Sequence, residues 1–175
     1  MTGHQSTSYA NFHDADKAID GDTNSKFVTQ QETAPWIAIE YPSPTQVSKV
    51  EVVNAPGTDG QRTKDCEVRL VDDLTGIQGS AMFTGGTLLG SWAGPGVGGE
   101  TFTITGSAAG KYVLFQCATG TYLNVMEIKV FAGRCFVSLI CFFSEYYFKV
   151  LLLGTEPVMV GLNNQGYNRP KTYKY

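Results

Sequence analysis

The chain has 175 residues, enough for one domain with a full core, and a formal net charge of −3 with a pI near 5.3. That balance argues against nucleic acid as the main partner, because a phosphate-binding face shows as basic excess. Twenty glycines and nine tyrosines, with few helix-period segments, point to an all-β protein, and four cysteines do not make a disulfide framework at this length. Met1 is followed by Thr-Gly-His-Gln, with no basic and then apolar leader pattern. The expectation is therefore an intracellular protein, or a natural start that lies elsewhere.

In chain order, Thr7 to Phe12 is predicted as a partial strand. Trp36-Ile-Ala-Ile-Glu-Tyr41 alternates, with Ile37, Ile39 and Tyr41 on one face, and Pro42 and Pro44 are expected to end it. Val47 to Val53 is the next strand, with Val50 and Val52 inward and Lys49 and Glu51 opposite. Ala55 to Gln61 is a turn cluster. Cys66, Val68 and Leu70 alternate against Glu67 and Arg69. Gly85 to Gly99 holds a short strand around Leu88, Leu89 and Trp92. Glu100 to Thr105 and Lys111 to Cys117 read as a strand pair joined by Gly106 to Gly110, and Met126 to Phe131 is the last clear strand, with Ile128 and Val130 inward. Short strands divided by regular turn signals imply a sandwich.

One loop stands out. Asp16 to Val28 places Asp20, Asp22, Asn24 and Ser25 within a tight turn, with Gly21 to let the backbone fold back. Hard cations such as calcium take oxygen ligands of this kind, some from the main chain. The spacing is not that of an EF-hand. On the residues alone, an Asx turn held by its own side chains is the better account.

Beyond Phe131 the composition changes. Residues 135–153 are almost continuously apolar, broken by Ser138, Ser144, Glu145 and Lys149, and the end is polar and basic. The run is long enough to span a bilayer, and Arg169, Lys171 and Lys174 fit the positive-inside rule, but its charged, Ser and Tyr residues bring the insertion free energy to near zero or above. The reading ranked first is a segment that is not an evolved part of the fold.

In order and spacing, several pieces together resemble the galactose-binding-like jelly-roll superfamily, which includes the F-type lectins and the discoidin domains (the C domains of coagulation factors V and VIII). The pieces are Gln5-Ser-Thr7, Ala18-Ile-Asp-Gly-Asp-Thr-Asn-Ser25, Pro35-Trp36, Val50-Glu-Val52 with Asn54, and Arg62 with Asp65-Cys-Glu-Val-Arg-Leu70. Gly110-Lys-Tyr-Val113 and Tyr122-Leu-Asn-Val-Met-Glu-Ile-Lys-Val-Phe131 follow. The resemblance implies an all-β, discoidin-like jelly-roll β-sandwich over residues 1–132, with residues 133–175 an atypical apolar then basic C-terminal tail. It also implies that the domain is N-terminally truncated, because the family has a further strand before the Gln-Ser-Ser-like piece.

The resemblance implies a structural Ca2+ ion held by the carboxylates of Asp20 and Glu127, by the main-chain carbonyls of Lys17, Asp22 and Met126, and by a side-chain oxygen of Ser25, or else Thr29 or Gln31. Without the ion, Glu127 reads as a solvated strand residue paired with Lys129 or Lys111. F-type lectins bind fucose with a basic triad. Arg62 and Arg69 match two of its members, but Lys64 stands where an aspartate is expected and Pro35 where a histidine is, with His4 and His13 far upstream. Standard fucose recognition is therefore not expected. A basic sugar- or anion-contacting patch of Arg62, Lys64 and Arg69 is, the alternative being that these residues simply flank an exposed strand. The family bridge between metal loop and last strand has lost both cysteines, with Glu32 and Met126 near those positions. Cys66 and Cys117 read as buried small hydrophobes. The implied function is a non-catalytic lectin-like module for cell-surface or matrix glycans, placed extracellularly or at the cell surface. The alternative is a discoidin-type adhesion module for protein or anionic lipid, using Trp92 or Phe83 at loop tips. No Ser-His-Asp order, carboxylate pair or zinc cluster points to an enzyme.

Overall fold

The structure, a computed structural model, describes residues 1–133 and, beyond them, only the backbone pairing of three short strands. The chain divides into two compact units, Met1–Arg134 and Cys135–Tyr175. The first contains β1 (Thr2–Gln5), β2 (Phe27–Val28), β3 (Trp36–Asn54), β4 (Lys64–Val71), β5 (Thr87–Pro95), β6 (Thr101–Cys117) and β7 (Asn124–Ala132). In the second, β8 (Phe143–Ser144), β9 (Tyr147–Lys149) and β10 (Met159–Val160) form a small antiparallel sheet in the order β10-β9-β8. The apolar run predicted as a possible span lies almost wholly outside the described residues. Among the described residues no helix is long and apolar enough to cross a membrane.

Two long strands make the first unit a jelly-roll β-sandwich. β3 and β6 pair antiparallel from Trp36↔Gln116 to Val53↔Thr101, with register shifts between Glu40 and Thr45 and between Val47 and Lys49. On one side of the first shift, β1 adds to β3, and β4 and then β5 add to β6. On the other side, β7 adds to β3 and β2 to β7. The same two strands thus run through both layers, so Ile37, Val68 and Phe115 of one layer and Val50, Val52 and Ile128 of the other share one buried cluster. The opposite face of β3 carries Trp36 and Ala38, which pack with Val71, Ile77 and Leu114 as a second, smaller cluster.

Several sequence expectations are corrected. Pro42 and Pro44 do not end a strand. They sit exposed in the register shift of one continuous 19-residue strand, where no ladder bond is required of them. Gly106 to Gly110 is not a hairpin turn, because β6 runs straight through it. A Cβ on Gly110 would lie 2.8 Å from the Val71 nitrogen, so the glycine serves close approach of strands rather than reversal. Thr7 to Phe12 is loop, and a first strand precedes it: Thr2–Gln5 pairs with Ile37 to Glu40. Trp92 is no loop tip. It stacks on Phe102 at 4.2 Å and lies 5.5 Å from Phe115, while Phe83 packs on the second cluster.

Cys66 and Cys117 are joined as a disulfide, against the expectation of two free thiols. The register explains it. Ala118 N–H donates to the Asp65 carbonyl, so Cys66 and Cys117, directly opposite one position further in, form a non-hydrogen-bonded pair, where facing side chains come closest. Sequence parity placed both inward correctly but could not show that β4 and β6 are neighbours in this register.

On the outer surface, Glu40 of β3 bridges β1 and β6. Its carboxylate meets His4 Nε2 at 2.7 Å and Lys111 Nζ at 2.8 Å. The hydrogen bonds from Lys111 and then His4 pull its pKa down to about 2. A carboxylate lowered in the folded state stabilises fully above its unfolded value of 4.5, and that contribution is lost as pH falls toward 2. Melts of the wild type and Glu40→Gln should therefore differ at pH 6 and converge near pH 2. An equal difference at both pH values would show that this ion pair carries no acid-labile stability.

Candidate functional site

The 3-10 turn Ala15–Ala18 and the loop after it form a dense cluster of oxygens. Gly21 sits at φ +79°, a conformation open to glycine, and this turns its N–H toward β7, where it donates to Glu127 Oε2 at 3.1 Å. Glu127 is only 4% exposed, so it is not a solvated strand residue, and Lys111 pairs with Glu40 instead. A register shift at Val53/Asn54 accounts for its burial. Val53 faces Glu127 and Asn54 faces Val125, leaving Met126 as the extra residue that re-aims the side chain after it. Burial raises the pKa of Glu127, with the Gly21 hydrogen bond opposing and the charges of Asp20 and Asp22 adding to the rise.

Ser25 Oγ lies 3.0 Å from each of four oxygens: the Lys17 carbonyl, both carboxylate oxygens of Asp20, and the Asp22 carbonyl. One hydroxyl carries one proton, so most of these approaches have no hydrogen between the oxygens. Five oxygens gathered around one proton is a donor set suited to a hard cation. The Asp22 carboxylate turns away, its Oδ1 accepting from Asn24 N and Nδ2 at 2.9 Å. Of the alternatives to Ser25, Thr29 Oγ1 donates to the Gln30 carbonyl and accepts from Leu123 N, so it is engaged elsewhere, and Gln31 Nε2 donates to the Gly120 carbonyl. Among the described residues no group of three or more His, Cys, Asp or Glu side chains is placed to hold a metal, so any cation here would rest largely on carbonyl and hydroxyl oxygens.

The expected basic patch does not form a unit. Arg69 is turned into the structure. Its Nε donates to Glu67 at 2.6 Å and its Nη1 to the carbonyls of Thr84 and Gly85, leaving the side chain 12% exposed. Lys64 is exposed, 3.7 Å from Asp65. Arg62 ends the 3-10 turn Gly57–Arg62, before β4 begins, whereas Arg69 lies toward the far end of β4, so the two arginines stand on different elements.

Arg62 instead joins a ring of residues that the sequence did not single out. Its Nη1 meets Asp59 at 3.0 Å, and Lys26 Nζ meets the other oxygen of the same carboxylate at 2.9 Å. Lys26 holds the Asp59 pKa below its usual range, chiefly by hydrogen bonding, with Arg62 adding to it. The Arg62 guanidinium lies 5.3 Å from the Tyr122 ring, Tyr122 meets Tyr9 edge to face at 5.7 Å, and Tyr9 lies 6.2 Å from His13. His13 Nδ1 lies 2.8 Å from the Lys26 carbonyl, which closes the ring and assigns the proton to Nδ1. Tyr9 and Phe12 are 58% and 69% exposed. The one signal in the sequence was two aromatics and a histidine, Tyr9, Phe12 and His13, in an otherwise polar stretch. Nothing local tied them to residues 26, 59, 62 and 122.

No curated protein matches the chain. Among solved structures it is similar to a fucolectin from striped bass (Morone saxatilis) serum, at 25% identity and TM-score 0.64, over 75% of this chain and 46% of that one. It thus spans about half the length of that lectin. It is also similar to a fucose-binding module of Streptococcus pneumoniae, at 18% identity and TM-score 0.60, over 75% of this chain and 91% of that one. A Clostridium perfringens module in complex with GalNAc-β-1,3-galactose gives 17% identity and TM-score 0.60, over 75% and 94% of the two chains. The last two likenesses concern the fold. Carbohydrate binding is thus what its structural neighbours do. The profile of the NedA-like galactose-binding domains matches residues 17–125, more than half of the chain, and the chain belongs to that family.

Proposed function

We propose that this domain is a non-catalytic, lectin-like module that binds glycans of cell surfaces or matrix at the ring formed by Tyr9, His13, Lys26, Asp59, Arg62 and Tyr122. The observation that carries this reading is the ring itself. It offers exposed aromatic surface for the apolar face of a sugar, beside a guanidinium and an ammonium with donors left over for hydroxyl oxygens. The neighbouring folds support it, since the Streptococcus pneumoniae module binds fucose and the Clostridium perfringens module is in complex with GalNAc-β-1,3-galactose. An extracellular or cell-surface location accords with the serum origin of the striped bass lectin.

Ca2+ is the ion that the oxygen cluster suits. Lys17, Asp22 and Met126 would offer carbonyls, Ser25 its hydroxyl, and Asp20 and Glu127 their carboxylates. The ion would be structural, fixing the loop between residues 17 and 25 against β7. That loop leads directly into Lys26 and β2, so ordering it would also steady one side of the ring.

A glycan array in calcium tests the function. The expected result is sugar-competed binding that falls roughly tenfold or more in Arg62→Ala or Tyr122→Ala, the scale of one lost stacking or charge-assisted contact. It should be unchanged in Lys64→Ala, whose side chain lies outside the ring. Binding only to anionic lipid, insensitive to sugars, would favour the adhesion reading, for which the exposed Tyr9 and Phe12 would serve as the apolar tip.

A further inference from the structure

The ring carries an excess of one charge, and this narrows its ligand beyond the general reading on which the inference rests. Lys26 and Arg62 share a single carboxylate, and each takes a different oxygen of it, Oδ2 at 2.9 Å and Oδ1 at 3.0 Å. Each carboxylate oxygen thus faces one cation, and one net positive charge remains. Both cations keep unused donors, two on the ammonium and those of the guanidinium that do not face Asp59. They are reachable, with side chains 31% and 41% exposed. The remaining acceptors are the free lone pairs of the Asp59 oxygens and the phenol oxygens of Tyr9 and Tyr122.

We propose that the ring selects sugars bearing an anionic group, a carboxylate or a sulfate, over their neutral counterparts. A neutral hydroxyl both donates and accepts, and it is best served by paired donors and acceptors. Here the ring's one carboxylate faces two cations, so a neutral sugar would leave the surplus positive charge unmatched. An anionic group accepts only and would complete the coordination of both cations without displacing Asp59. The planar guanidinium suits a two-oxygen group such as carboxylate or sulfate. The Tyr122 ring beneath Arg62 holds that plane in place.

Titration calorimetry on the full chain in calcium, with sialyllactose, lactose, lactose 3′-sulfate and vesicles of anionic phospholipid, tests it. Sialyllactose, lactose 3′-sulfate or both should bind at least about tenfold more tightly than lactose, the scale of one charge-assisted hydrogen bond. The preference should shrink as salt rises. Arg62→Gln should erase the preference. Asp59→Asn, which removes the competing carboxylate, should enlarge it, with the melting temperature of each variant reporting that the fold is kept. A site that takes carboxylate but not sulfate, or the reverse, still supports the proposal and identifies the source. Equal or tighter binding of lactose overturns the proposal and leaves the lectin reading standing. Binding to none of the sugars, or to the vesicles alone, overturns both.

Discussion

Replacing Cys66 and Cys117 together by alanine is expected to cost about 4 kcal/mol of stability, most of it through the unfolded chain. The bridge closes a loop with a sequence separation of 51, and loop-closure entropy for that span is about 4 kcal/mol. Against a typical total of roughly 5–15 kcal/mol, that is a large fraction. For a domain of this size it corresponds to a fall on the order of 15 °C in melting temperature. The two strands are already paired by backbone bonds on either side, so the native structure should survive the change. The check is a melt of the double variant beside wild type refolded in reductant. Both should fall by similar amounts, because both lose the same crosslink. A fall of less than about 1 kcal/mol in both would mean that the bridge adds nothing to what the sheet supplies.

Calcium is expected to raise the melting temperature of the wild type, and Asp20→Ala to abolish the rise. At a hundred times its dissociation constant, a ligand confined to the folded state adds about 2.7 kcal/mol, or roughly 10 °C for a domain of this size. The effect should depend on pH with a definite sign. Burial raises the Glu127 pKa in the folded protein, so without the ion its ionisation weakens the fold as pH rises above the unfolded value of 4.5. A bound cation needs the ionised form. The calcium increment should therefore be small in mild acid and grow toward neutral pH. Glu127→Gln should be more stable than the wild type in chelator near neutral pH and less stable in calcium. A calcium response that persists in Asp20→Ala would place the ion elsewhere, and no response at all would leave the Ser25 cluster as an Asx turn.

Much of the fold was legible because it depends on period-two patterning. Ile37, Ile39, Val50, Val52, Val68 and Ile128 all point inward as alternation requires. The oxygen-rich loop was legible because its oxygens lie close in sequence, and the resemblance supplied Glu127 from far away. What was missed depends on register and on distance along the chain. The bulge at Met126 that buries Glu127, the facing of Cys66 by Cys117, and the passage of β3 through Pro42 and Pro44 are set by which strands are neighbours. No local pattern encodes that. The ring of Tyr9, His13, Lys26, Asp59, Arg62 and Tyr122 was the hardest to see. The resemblance joined Arg62 to Arg69, yet the fold points Arg69 at Glu67 and the carbonyls of Thr84 and Gly85 and gives Arg62 to Asp59 and Tyr122.

The most direct test of the lectin reading is a two-dimensional amide correlation spectrum of the domain, in calcium, titrated with the tightest-binding glycan of the array. The account predicts saturable shifts concentrated at residues 9–13, 26, 59–62 and 122, with Arg69 and Trp92 unmoved. Shifts centred instead on β4 around Lys64 and Arg69, or spread without saturation, would contradict it.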